Sequence, residues 1–526
     1  MATKIEELFA KYNNAQTEKE RFRKLYSDVY RYGMPDRYPE LQEYQDAQGN
    51  KHRYDIFDST FEIACDDFVN KVQGLIAPVN ADWVDIEVGY MFDNSPESGV
   101  VEANRRLGEL AKIVNVYKSL SNFDVAMTEG LYDLVAGTMV LMCIEGDERN
   151  PMVFSAIPFR EITMVDGPDS TTWYYFRKFD KKNWEIVQQW KDAQHEFDPS
   201  RPDDVVAITE ATFYDAKTRK WNYWVITDKD KKAIVQREYR TSPFVNLRWT
   251  KMSNETYGRG QGLKVIDDFK TLNRLKEYSL RALQFIVPFF LVDSSEDYEN
   301  WFIRPGAILP VNANAKENPP LVPISVNQQA DLQHWNMQAL TMSVKRGMFS
   351  NTLSDIPGQT ATAVQKEDAQ QKRIIANSLG RLDVFLYAIV KRMIDVLQRQ
   401  GLFPLDFDIE MLNGYGAKIR IDTELANLQA MDKVEKKLNA IALMNGFDAT
   451  GATTARFVKT DVAVPKILKA IGMEAEEIRT DEELAQYDQQ MAENSQAAQQ
   501  AEIDKELIIA RGKEEARVAA TNKVQK

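Results

Sequence analysis

Histidine and cysteine are scarce: His52, His195 and His334, with Cys65 and Cys143, are all that 526 residues contain. Two cysteines make no disulfide framework and suit a reducing cytoplasm. A structural zinc site needs about four Cys or His ligands at close spacing, and none are grouped here. Both cysteines lie in apolar surroundings, IACDDF and LMCIEG, which predicts buried free thiols rather than nucleophiles. A Walker A run is missing too. The nearest stretch, Arg511-Gly512-Lys513-Glu514, lacks the loop and the Ser or Thr that phosphate and magnesium binding require. No G-x-S-x-G elbow occurs. Long apolar runs are absent: the densest, Phe285–Val292 (FIVPFFLV), is broken by Pro288 and falls far short of the ~20 residues of a membrane span. The start, MATKIEELF, turns charged at once, and Ala2 stands where myristoylation needs glycine. The expectation is a soluble chain, cytoplasmic when made, with no cofactor and no membrane partner.

A surplus of positive charge is also lacking. Lys and Arg total 66 against 79 Asp and Glu, a formal charge of −13. Tight nucleic-acid binders spread cations over phosphates, so this composition argues against one. It fits simple solubility, and equally a surface past which DNA slides without sticking.

What is present is a chain with hydrophobic residues at 44%, long enough for several domains. Residues 1–32 read as a helix with an apolar stripe of Leu8, Tyr12, Phe22, Tyr26, Val29 and Tyr30, ended by Pro35 and Pro39. Residues 56–76 read as a second helix facing inward through Phe57, Phe61, Ala64, Phe68, Val72 and Leu75, and 99–136 as a third. Between 137 and 250 the runs MVFSAI, TWYYFRKF, EIVQQW, VVAITEATFY, WNYWVIT and PFVNLRW predict strands of a mostly antiparallel sheet. DAKTRK and DKDKK are its hairpin tips. Helices at 261–286 and 328–349 bracket a proline-rich insert, 287–327, suited to short strands and loops. Residues 350–360, SNTLSDIPGQT, read as an exposed loop. A long helix, 361–400, carries a heptad-like seam through Ile375, Leu379, Leu382, Leu386, Ile389 and Met393. About forty residues give roughly 60 Å of helix, long for a compact enzyme domain. Gly401 and Pro404 end that helix. Residues 422–445 and 461–490 read as further helices, followed by a Gln/Ala/Glu-rich tail. The fold class is α+β, mainly helical.

Few groupings could carry chemistry. Gly258, Gly260 and Gly262 (YGRGQGL) precede a helix, as a phosphate-binding turn would. Their spacing misses the dinucleotide fingerprint and no strand leads in, so a tight turn is the better reading. Asp66–Asp67 and Asp267–Asp268 are adjacent carboxylates. Neighbours on a helix point apart, so neither pair alone makes a two-metal site. The aromatics of 154–249 (Trp173, Tyr174, Tyr175, Trp184, Trp190, Tyr214, Trp221, Tyr223, Trp224, Trp249) suit sheet or interface packing more than base stacking. Basic residues flank the 350–360 loop: Lys345 and Arg346 before it, Lys366, Lys372 and Arg373 after it. They are either a solvated face or phosphate contacts of a pore.

Ordered pieces from about 20 to 490 are similar to the head-to-tail connecting (portal) proteins of podoviruses. They are Asp58-Ser59-Thr60, Gly74-Leu75-Ile76-Ala77-Pro78, Trp83, Pro243-Phe244, Arg248-Trp249, Tyr257-Gly258-Arg259-Gly260 and Leu272-Asn273. Then come Thr360-Ala361-Thr362, FLYAIVKRMIDVLQRQGLFP at 385–404, Leu425-Ala426, Ile471-Gly472-Met473, and Arg479 with Glu482-Glu483. No single piece is specific; their order is. Ala363 stands where the family's long helix usually has Glu, so that carboxylate's role is not carried over.

The resemblance implies a ring, typically a dodecamer, at the portal vertex of the virion. It also implies a wing (1–255), stem helices (256–286 and 328–349) and a clip (287–327). A channel loop follows: Ser350, Asn351, Thr352, Leu353, Ser354, Asp355, Ile356, Pro357, Gly358 and Gln359. The channel-facing helix would be 361–400, its seam fitting packing in a closed cyclic assembly; the crown side would be 401–490 and the tail 491–526. Implied partners are the terminase packaging motor, tail adaptor or tube proteins, capsid and scaffolding or internal core proteins, and double-stranded DNA in the channel, bound without sequence preference. The expected role is structural, in packaging and ejection, with assembly in the host cytoplasm. The alternatives are a capsid or scaffolding protein, and a DNA-acting enzyme such as a nuclease.

Overall fold

The computed structural model describes residues 2–40, 55–90, 97–193, 201–284, 289–292, 321–324, 330–350, 382–405, 407–412 and 416–421, with Tyr487, Gln489 and Gly512. The chain divides into two units, Met1–Leu425 and Ala426–Lys526. Apart from those three residues, everything described belongs to the first. The readings for 422–486 and the tail lie outside the described residues.

Helix α1 (Ala2–Gly33) forms because its apolar residues recur every three to four positions. Ile5, Leu8, Phe22, Tyr26, Val29 and Tyr30 are buried. Its first turns lie on a sheet face, against Phe176, Ala211, Phe213 and Ile226. Tyr12 meets Phe176 edge-on at 5.8 Å. Helix α2 (Thr60–Ile76) starts later than its apolar pattern suggests. The Asp58 carboxylate accepts the Thr60 N–H (2.7 Å) and so caps the entering chain outside the helix.

The stretch expected as one helix, 99–136, is two: α3 (Glu97–Leu120) and α4 (Phe123–Ala136). Asn122 breaks it. Its side chain donates to Phe154 O (2.7 Å) and accepts from Phe154 N–H (2.8 Å), completing the edge of a strand. EIVQQW is also corrected, from strand to helix α5 (Asn183–Gln189). Ile186 and Trp190 are buried while Gln188 between them is exposed, which breaks strand alternation and fits a helical repeat.

All strand pairs described are antiparallel. Beyond β1 (Val84–Val88), β2 (Thr138–Glu145) and β3 (Met152–Ala156) come β4 (Ile162–Asp166), β5 (Thr172–Lys182) and β6 (Val205–Asp215). Then follow β7 (Lys220–Thr227), β8 (Lys232–Tyr239) and β9 (Phe244–Arg248). One sheet runs β4-β5-β6-β7-β8 and another β3-β2-β9. The tips at 215–220 and 228–232 are hairpin turns, with Arg219 and Lys231 at positive φ. Strand β12 (Ala417–Ile421) pairs with β1 across more than 300 residues, a pairing without any local signal.

Helices α6 (Gly262–Gln284) and α7 (Ala330–Gly347) are antiparallel. Gln261 donates to Gly347 O (2.6 Å), and Ser343 donates to Asp268 (2.6 Å). Strands β10 (Phe289–Val292) and β11 (Leu321–Ile324) pair with each other in the proline-rich insert. Helix α8 (Leu382–Arg399) is the described part of the 361–400 stretch. Over this part, the chain itself covers most of the apolar face expected to pack between subunits; Ile375 and Leu379 of the seam lie outside the described residues. Phe385, Leu386, Ile389, Val390, Met393, Ile394, Val396 and Leu397 are buried within the chain's own fold, where α8 packs on β2, β9 and α3.

Cys65 and Cys143 are free and buried. Burial pushes the Cys143 thiol up to about 12, so its nucleophilic thiolate is suppressed. Neither cysteine should react with Ellman's reagent in native protein, and both should react in urea. Fast native labelling of either would contradict this packing.

Candidate functional site

Several of the motif pieces meet around one junction, where α2, α6 and α7 converge. Asn273 of α6 accepts the N–H groups of Phe57 (2.8 Å) and Asp58 (3.2 Å) and donates to Asp55 O (2.7 Å). Lys276 pairs with Asp58 at 3.0 Å. Burial pushes the Asp58 carboxyl up, but bonds from Thr60 and Lys276 outweigh this and leave it below the ordinary value. Thus Asp58-Ser59-Thr60 and Leu272-Asn273 are two halves of one brace. Trp249 packs edge-on against Phe68 at 5.0 Å.

The glycine turn is structural. Gly258 N–H donates to the Thr138 hydroxyl (2.7 Å), Arg259 N–H to Thr250 O (2.7 Å) and Gly260 N–H to Ala136 O (2.8 Å). The buried Tyr26 hydroxyl donates to Gly258 O. Backbone donors that could cradle a phosphate are turned inward and used. A Cβ at Gly258 would run into Gly137 O, and one at Gly260 into Val135 O. The glycines let three backbone segments touch.

The adjacent carboxylates also resolve into separate partners. Asp66 accepts from the Tyr132 hydroxyl (2.9 Å), Asp67 from Ser350, and Asp268 from Ser343. Among the described residues no group of three or more Cys, His, Asp or Glu could hold a metal ion. No described helix is long and apolar enough to cross a membrane.

The aromatics of 154–249 pack. Trp190 donates to the Tyr223 hydroxyl (3.2 Å), which donates to Glu210 (2.7 Å), and all three are buried. Burial raises the Glu210 carboxyl, against the pull of Arg177. Trp173 meets Tyr214 edge-to-face, and Tyr214 meets Trp221 tilted, both at 5.3 Å. Of the ten, Trp184 alone is exposed.

Of the loop-flanking residues, Lys345 and Arg346 occupy the last turn of α7, half-buried and exposed respectively. Cations at a helix C-terminus also complement its dipole. Ser350 is described and buried. Asn351, Thr352, Leu353, Ser354, Asp355, Ile356, Pro357, Gly358 and Gln359, with Lys366, Lys372 and Arg373, lie outside the described residues. Sequence reasoning noted Asp67 only as half of a carboxylate pair and missed Lys71, Gln261 and Phe349; together they fix the end of α7, where Lys71 donates to Phe349 O (3.3 Å). On the sequence they look like an ordinary polar helix face and a stray aromatic.

No curated protein matches the chain. Among solved structures, the virion of a native gene transfer agent particle has a chain 9% identical. The match covers 78% of this chain and 93% of that one, at a TM-score of 0.34. The neck of the native gene transfer agent particle computed with C12 symmetry gives 9% identity, 79% and 94% coverage and a TM-score of 0.34. Likeness at that level carries no argument. The sequence itself does: residues 5–478 match the profile of the bacteriophage head to tail connecting proteins. With so much of its length matched, the chain belongs to the bacteriophage head-to-tail connecting protein family.

Proposed function

We propose that the chain is a portal subunit. Copies close into a ring of about twelve at one capsid vertex. DNA passes inward through that ring during packaging and outward at ejection. The ring docks the terminase motor, then tail proteins, and helps to nucleate the head with capsid and scaffolding proteins. The role is structural and not catalytic. In this reading 1–255 is the wing, 256–286 and 328–349 the stem, 287–327 the clip, 350–360 the channel loop, 361–400 the channel helix, 401–490 the crown side and 491–526 its tail.

The observation that carries this, beyond family membership, is the α6–α7 pair. Its base is built into the fold through Val265, Ile266, Phe269, Leu272 and Val344, all buried. Beyond that base, residues 274–281 and 336–343 include no buried residue. Tyr278 is 60% exposed, and Leu280 and Met342 are exposed with it. An isolated helix pair has little to gain from presenting such residues to water. Neighbouring copies standing side by side would cover them. The α6 helix, at about 1.5 Å per residue, carries its far end roughly 35 Å from its start, and the paired β10–β11 follow it in sequence, which supports reading the insert as a clip.

The test is negative-stain electron microscopy with native mass spectrometry. Closed rings with a central hole and a mass about twelve times that of the chain are expected. A monomer calls for repetition at high concentration, since ring closure follows mass action. Shells, filaments, or a stable dimer with nuclease activity would overturn the reading.

The acidic chain repels DNA phosphates overall, which leaves brief contacts to a few cations. Lys345→Ala with Arg346→Ala should therefore lower packaging or retention of DNA while rings still form. Stability should change by no more than about 1 kcal/mol. Unchanged packaging in intact rings would remove these two residues from the channel.

A further inference from the structure

Helix α7 stops in an unusual way. Ser350 N–H donates to Lys345 O (2.9 Å) and Phe349 N–H to Arg346 O (3.2 Å). This pair of bonds closes a helix end around a left-handed residue, a position usually given to glycine. Here it is Phe349, at φ 58°. The glycine that the sequence offers, Gly347, comes two residues too early and is used otherwise: a Cβ there would overlap Val265. An aromatic residue in the left-handed region persists only where its surroundings over-determine it.

Those surroundings come mainly from one turn of α2. Lys71 donates to Phe349 O at 3.3 Å. The Ser350 hydroxyl donates to Asp67. The Phe349 ring stacks on Phe68, centroids 6.5 Å apart and planes 21° apart. Trp249, itself against Phe68, adds a tilted ring contact to Phe349 at 6.5 Å. Asp67, Phe68 and Lys71 thus hold the hydroxyl, the ring and the carbonyl of two consecutive residues. Phe349 and Ser350 are both buried.

We infer that α2 is a latch on the end of α7. Asp67, Phe68 and Lys71 are positioning residues that force α7 to end at Gly347 and so set the direction in which the chain leaves the junction. Taken with the portal reading, which places the next segment at the channel, a push by DNA on that segment is borne by α2 in the wing. Without the latch, Phe349 relaxes to a right-handed conformation and the helix end is redefined.

The experiment is amide hydrogen exchange on Asp67→Ala with Lys71→Met. Exchange at Phe349 and Ser350 should quicken about 10–100-fold, as expected for loss of hydrogen bonds to charged groups. Gly258, held by Thr138, should be unaffected. Adding Phe349→Gly should restore slow exchange at 350, because glycine takes the left-handed conformation without a latch. Unchanged exchange at Ser350 in the double variant overturns the inference, and so does failure of Phe349→Gly to rescue it. Should Gly258 also lose protection, Lys71→Met alone is read in the same way, with about a 3–10-fold change expected. The measurement needs neither a ring nor DNA, so its failure leaves the portal reading standing.

Discussion

Asp395→Ala is expected to lower stability by about 3–5 kcal/mol, read as a fall in the urea midpoint. The reason is Arg392, which is fully buried in α8. Its Nε donates to Cys143 O at 3.0 Å, and its guanidinium lies 4.4 Å from the centroid of the Tyr239 ring. Asp395, at 3.3 Å, is the carboxylate it pairs with. Asp395 also accepts from the Thr241 hydroxyl (2.6 Å) and pairs with Arg399 (3.4 Å), whose guanidinium lies 4.4 Å from the same tyrosine ring. Removing the carboxylate leaves a buried cation with a ring and a carbonyl but no counter-charge, and α8 loosens from β2 and β9. Replacing the pair together, Arg392→Met with Asp395→Leu, should recover most of the loss, because an apolar pair needs no desolvation of charge. A drop below about 1 kcal/mol for Asp395→Ala would mean that Arg392 finds its compensation elsewhere.

This pairing shows where the sequence was silent. The FLYAIVKRMIDVLQRQGLFP run reads correctly as a helix, and Gly401 ends it at φ 72°. Its heptad-like seam suggested that other subunits cover it. The seam residues Leu386, Ile389 and Met393 are instead buried in the chain's own core. Periodicity reports which face of a helix is apolar; it does not say whose surface meets that face. The stripe of α1 and the hairpin turns at 215–220 and 228–232 were legible because their signals are local. The break at Asn122 was not, because its cause is Phe154, 32 residues away. The α5 segment was misread because six residues are too few to separate alternation from a four-residue repeat.

The candidate site was legible in a different sense. The ordered motif pieces marked the junction, but as a resemblance and without their physical roles. Asn273 proved to brace the entrance of α2. Trp249 closes over Phe68 and Phe349. The glycines looked like a phosphate turn and are a backbone contact. Asp67 drew notice only as a neighbour of Asp66 and Lys71 drew none, since acids and bases four apart on a helix are ordinary surface chemistry. Their targets, Ser350 and Phe349, lie some 280 residues further on.

The glycine contact leads to the other large effect. Gly260→Ala should destabilise the protein by about 3 kcal/mol or more, beyond the usual cost of overpacking, with no nucleotide in the assay. The added Cβ would meet the backbone of Val135 and Ala136, not the tip of a flexible side chain. Backbone cannot swing aside, so the Tyr257–Gly262 turn must lift from the end of α4. That would break Gly260 N–H to Ala136 O and pull on Gly258, whose N–H is held by Thr138 and whose carbonyl is held by Tyr26. Gly401→Ala provides the contrast: a Cβ there meets nothing within 4 Å, and its only cost is the left-handed φ of 72°, about 1–2 kcal/mol. Both variants are read by thermal and urea unfolding. If Gly260→Ala unfolds no more easily than Gly401→Ala, the close approach of α4 to the start of α6 is not what the glycine is for. A larger loss at 260 identifies the turn as the point where the α6–α7 pair is fastened to the rest of the fold, since α6 begins two residues later.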